Sequence, residues 1–126
     1  MAKAKAPSGS VEALLAEKSA ILSQAQVLTT LGMAQAARPL WAAAASFEER
    51  IASLLDADGD EREAAVHRIS AASCYEKAGD PSRATNLYRA ALAGPLRAVT
   101  RRDVRAMLAG CLARLKTSAA RRDGGA

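Results

Sequence analysis

YEKAGDPSRATNLYRAAL, residues 75 to 92, reads as a helix end, a turn and a helix start in one uninterrupted stretch. Gly79 supplies the left-handed residue on which a helix commonly closes. Asp80 is a good cap for the next helix, and Pro81 suits its first position, where a backbone N–H has no partner to lose. Apolar residues fall at three-four spacing on both sides of the turn: Ala72, Tyr75 and Ala78 before it, and Ala84, Leu87, Tyr88, Ala91 and Leu92 after it. A connection this short sends the chain back antiparallel to itself, so the segment predicts a helical hairpin.

Similar signals flank it. Ser10 is an N-cap for a first helix carrying Val11, Leu14, Leu15, Ile21, Leu22, Ala25, Leu28 and Leu31 on one stripe, loosened at Gly32 and running as far as about Ala36. Pro39 suits the first turn of a second helix through Leu40, Ala44, Phe47, Ile51, Leu54 and Leu55, ended by the acidic turn around Gly59. Asp60 and Glu63 are spaced as a capping box for a third helix, and Thr100 and Asp103 as one for a fifth, whose stripe is Val104, Met107, Leu108, Cys111, Leu112 and Leu115. Gly94 and Pro95 stop the fourth. The expected fold is all-α, about five antiparallel helices stacked as hairpins, with a single domain over residues 10–117. Residues 1–9 and the basic residues 118–126 read as disordered tails.

Composition agrees with packed helices. The 126 residues are 50% hydrophobic but only 3% aromatic, so the core must be built largely from Ala and Leu, and small side chains let helices approach closely. No apolar run reaches the roughly 18–20 residues of a membrane span, and the start of the chain lacks the apolar core of a secretion signal, which makes a cytoplasmic protein the expectation. The formal charge of +5 is unevenly placed. Residues 99–126 hold seven basic groups against two acidic ones, so the whole excess sits at this end.

Residues 65–98 resemble a tetratricopeptide repeat, the 34-residue helix-turn-helix unit, through Ala72, Tyr75, Gly79-Asp80, Ala84, Tyr88, Ala91 and Leu92. The resemblance implies that Ala72 and Ala84 mark where two helices touch, and that the last helix caps the stack, since Arg102 and Arg105 stand where a further repeat would be apolar. In that family the first helix of a repeat lines a groove for a partner peptide or helix, which here implies Val66, Ile69, Ser73, Glu76 and Lys77. The implied function is a non-catalytic adaptor or scaffold that binds a partner protein or a second copy of itself.

Other chemistry is weakly represented. Asp56, Asp58 and Asp60 alternate as in a calcium loop, but Gly59 comes too early and His67 stands where the bidentate acid belongs, so capping and turn roles are expected instead. Cys74 and Cys111 lack metal-ligand or redox spacing and read as small buried hydrophobes. His67 has no relay partner at a suggestive spacing and reads as solvent-facing or groove-edge, whereas Trp41 reads as core or hairpin edge. No phosphate loop, nucleophile elbow or paired catalytic carboxylates occur, so no enzyme, cofactor, metal or small-molecule substrate is expected. The alternative functions are a nucleic-acid-associated protein using Arg101, Arg102, Arg105, Arg114 and Lys116, with Arg121 and Arg122 beyond, or a purely structural assembly subunit.

Overall fold

The computed structural model describes residues 9–124, and the chain over that span is all-α. Its elements are α1 (Val11–Thr30), α2 (Ala34–Ala57), α3 (Glu61–Lys77), α4 (Pro81–Leu92) and α5 (Ala98–Gly124), with no strand among the described residues. Each helix packs mainly on its neighbour in the chain: α1 on α2, α2 on α3, α3 on α4 and α4 on α5.

One device makes three of the four turns. Gly32, Gly59 and Gly79 take φ of 79°, 82° and 82°, and the residue after each donates its N–H back to the carbonyl five positions earlier. These bonds are Met33 to Leu28 (2.8 Å), Asp60 to Leu55 (2.8 Å) and Asp80 to Tyr75 (2.9 Å). They satisfy carbonyls that a helix end leaves without partners. The same residue then begins the next helix, so one position closes one helix and opens another. Asp60 and Asp80 do this with a side-chain bond as well, accepting from Glu63 N (3.4 Å) and Arg83 N (3.1 Å). Met33 has no such bond to offer. Gly79 is required by its φ of 82°; a Cβ there would meet the Arg38 guanidinium carbon at 3.2 Å, but that is the mobile end of an exposed side chain.

The core is mostly alanine. Ala25, Ala37, Ala44, Ala45, Ala71, Ala72 and Ala84 are all 0% exposed, and with Trp41, Tyr75, Tyr88, Val104, Cys74 and Cys111 they form one cluster spanning all five helices. Small residues bring the axes together, while the few large rings fill what is left between them. Tyr88 is fully buried at the centre of this arrangement.

Several boundaries differ from expectation. The first helix stops at Thr30 and does not reach Ala36, because the left-handed Gly32 lets the chain close it and start again at Ala34. Pro39 is therefore the sixth residue of α2, not a first-turn residue. Its missing N–H deprives the Gln35 carbonyl of a donor, which is tolerable because Gln35 and Pro39 both face solvent. The fifth helix opens at Ala98 with Arg101 N bonded to Arg97 O (2.9 Å), so Thr100 lies inside it and does not cap it. Residues 118–124 are helical rather than disordered, because Ala-rich sequence with Arg in the last turn sustains a helix. Residues 1–8 and 125–126 of the expected tails lie outside the described residues.

Candidate functional site

The five residues expected to line a groove fall within a sector of about 100° on α3, at about 100° per residue, but they are differently employed. Val66 is exposed and borders a shallow cleft with Arg62, Glu63, Pro95, Leu96, Arg97 and Thr100. Ile69 is half-buried against the core, and Ser73 is half-buried too. Glu76 accepts a hydrogen bond from Tyr88 of α4 and an ion pair from Arg114 of α5. Lys77 stands 4.5 Å from the Trp41 ring centroid, a cation–π contact. Two of the five thus engage their polar groups with other helices of the same chain.

Two buried or half-buried carboxylates knit the helices together. Glu48 of α2 is only 2% exposed and takes Lys18 Nζ of α1 on one oxygen (3.0 Å) and His67 Nδ1 of α3 on the other (2.6 Å). His67 is accordingly neither solvent-facing nor idle: packing of α3 on α2 brings it to an acid 19 residues away in sequence. Trp41 is buried as expected, and its Nε1 donates to Thr29 Oγ1 (3.3 Å).

The second carboxylate, Glu76, is joined by Tyr88, Arg114 and, close by, Cys111. Burial first and the bond to Glu76 second push the Tyr88 phenol far above its ordinary range. Tyr75, bonded to Glu49 Oε2 (2.5 Å), is shifted the same way, first by burial and then by that bond. The thiols follow suit. Burial, then Glu48, raises Cys74; burial, then Glu76, raises Cys111. Both cysteines are buried, free and held as thiols, poor nucleophiles by position and by charge. Two acids of the α2–α3 turn are occupied as well: Asp56 pairs with Arg68, and Asp60 caps α3.

The basic residues of the last helix divide into two groups. Arg101 clamps the α4–α5 connection, donating to Leu92 O (2.6 Å) and Gly94 O (3.0 Å), and Arg114 is paired with Glu76. Arg102, Arg105 and Lys116 are exposed, within about 60° of one another on the outer face of α5. Arg121 and Arg122 are exposed in its last turn.

The end of α1 exposes apolar side chains, among them one expected on its buried stripe. Leu31 was placed on the buried stripe of the first helix, yet it is 67% exposed. Val27 and Met33 beside it are 58% and 49% exposed. Val27, Leu28 and Leu40, with Ser23 and Gln24, border an almost wholly apolar groove of about 410 Å³ between α1 and α2. The signal was present in the chain: between Lys18 and Arg38 there is no charged residue at all.

Among the described residues no group of three or more acidic, His or Cys side chains is placed to hold a metal ion, and no helix is long and apolar enough to cross a membrane. Comparison of the chain with known protein families, curated proteins and solved structures finds no match.

Proposed function

We propose that this chain is a non-catalytic protein-interaction module, a short tetratricopeptide-like stack of helical hairpins that docks a protein through the outer face of α1 and the adjoining start of α2. The observation that carries this reading is the concentration of exposed apolar side chains, Val27, Leu31 and Met33, in a stretch without charge. Soluble domains seldom expose contiguous apolar surface without a use for it, and the core of a protein interface is depleted in charged residues. Repeat stacks ordinarily finish in a polar outer face. The α5 end presents Arg102, Arg105 and Lys116 outward, whereas the second half of α1, from Ser19 on, presents no charged group.

The nucleic-acid reading is less well supported. Arg101 and Arg114 are committed within the fold, and no aromatic residue stands on α5 to stack on a base.

The test is affinity capture from the native host with the immobilised chain and two exposed-site variants. Leu31→Asp is expected to lose the captured protein, untagged copies of the chain included, while Val66→Asp on α3 keeps it. An identical captured set for both variants would refute docking through α1.

A further inference from the structure

We infer that the occupant of the α1 face is a second copy of this chain, bound across a two-fold axis through an antiparallel α1·α1 contact; this rests on the interaction reading above. The helix is apolar on both sides. Leu14, Ile21, Leu22, Ala25 and Leu28 face the core, whereas Ala16, Ala20, Ser23, Gln24, Val27 and Leu31 are exposed on the opposite side. At about 100° per residue this second stripe is about 100° wide, and its 4-3-4-4 steps from Ala16 through Ala20, Ser23 and Val27 to Leu31 are those of a helix seam. A helix with a second apolar stripe opposite its core face can pack between two layers, and the chain itself supplies only one.

The order of sizes along the stripe identifies what fits it. Small residues come first and large ones last. In an antiparallel pair with the axis between positions 23 and 24, Leu31 faces the second copy's Ala16, Val27 faces its Ala20, and the small polar Ser23 and Gln24 meet at the centre. One register satisfies every pair, so the face is complementary to itself.

Charge selects the same arrangement. In that register Glu17 falls opposite Thr30, and Glu12 lies beyond the point where the second copy's chain turns back at Gly32, so no like charges meet, and Lys18 is already held by Glu48. Head-to-tail stacking of α5 on α1 would instead bury Arg102, Arg105 and Lys116 against a face whose edges offer only Glu12 and Glu17, too few acids to pair three cations, a costly desolvation. Pairing α5 with α5 would oppose the same cations. The two-fold α1 contact leaves a basic α5 face at each end of the assembly, which closes it as a dimer.

Sedimentation of the full chain over a wide concentration range tests this. The wild type is expected to pass from monomer mass to twice that mass. Val27→Asp with Leu31→Asp should remain monomeric with an unchanged helical spectrum, and Arg102→Ala with Arg105→Ala and Lys116→Ala should dimerise as the wild type does. The swap Ala20→Val with Val27→Ala keeps large against small and should restore dimerisation that Ala20→Val alone weakens at least tenfold. Ser23→Cys, beside the axis, should form a disulfide-linked dimer on mild oxidation, since the native thiols are buried. A wild type monomeric at every concentration overturns the inference, as does a dimer indifferent to the paired Asp variant. A monomer that still captures another protein through Leu31 would remove the second copy and leave the interaction reading standing.

Discussion

Glu48 and Glu76 perform the same task in two parts of the molecule under different dielectric conditions. Each is a carboxylate on one helix that receives polar groups from two others: Glu48 takes Lys18 and His67, and Glu76 takes Tyr88 and Arg114. Each also lies beside a buried cysteine whose thiol it helps keep protonated. The difference is water. Glu48 is 2% exposed with both partners at 16%, whereas Glu76 is 24% exposed and Arg114 is 53% exposed. An ion pair shielded from solvent contributes little relative to an apolar substitute, but breaking it strands a charge; a solvated pair does neither. The first junction therefore fixes how α1, α2 and α3 must pack, and the second trims the packing of α5.

The largest effect follows directly. Glu48→Ala leaves Lys18 and His67 facing a buried void, and a loss of about 3–5 kcal/mol is expected from an uncompensated buried charge. Trp41, the sole tryptophan and buried between α1 and α3, reports unfolding by fluorescence in a denaturant titration. A loss no greater than that of an exposed-pair deletion would erase the distinction between the junctions.

The turn and the hairpin at residues 75–92 were legible in sequence because their chemistry is local: Gly79, Asp80 and Pro81 act on their own backbone and give the observed cap and helix start. The junctions were not, since His67 and Glu48 lie 19 residues apart, Arg114 and Glu76 lie 38 apart, and only the packing of helices introduces them. The apolar outer face of α1 was written in the chain but hidden by its partner face. Two stripes on one helix blur into a single run of apolar residues, and Leu31 was assigned to the wrong one. Pro39 misled for a related reason: its fitness for a first turn is a preference, and the Gly32 turn fixed the helix start several residues earlier.

An intermediate effect separates the junctions by pH. The Tyr88 phenol is raised by burial and then by Glu76, so the native chain holds its proton where the unfolded chain, titrating near pH 10, has lost it. With fewer protons on the unfolded chain, stability falls as pH rises: the contribution is complete below about pH 10 and is lost above it. Tyr75 acts in the same direction, and the two thiols do so from somewhat lower pH. Tyr88→Phe removes a hydrogen bond and is expected to cost about 1 kcal/mol at neutral pH. Above pH 10 its stability should fall less steeply than that of the wild type, because the thiols and Tyr75 are common to both. Parallel pH profiles from denaturant midpoints would show that Glu76 and burial do not hold the phenol proton.

The smallest effect is expected at Arg114. Its guanidinium pairs with Glu76 from a side chain that is more than half exposed, so water competes for both partners and salt screens what remains. Arg114→Ala should cost a few tenths of a kcal/mol, about 1–2 °C in melting temperature for a chain of this size. Glu76 keeps its bond from Tyr88 and no buried charge is stranded, which is the physical reason the loss stays small. The consequence should instead be local: past Cys111, the last buried residue of α5, Arg114 is the one side chain of the described helix with a hydrogen bond or ion pair to another helix. Amide exchange over residues 112–124 should therefore quicken while exchange in α2 and α3 stays unchanged. Should Arg114→Ala instead lower the melting temperature as far as Glu48→Ala does, solvent exposure would not be what distinguishes the two carboxylates, and the distal part of α5 would have to be counted with the core.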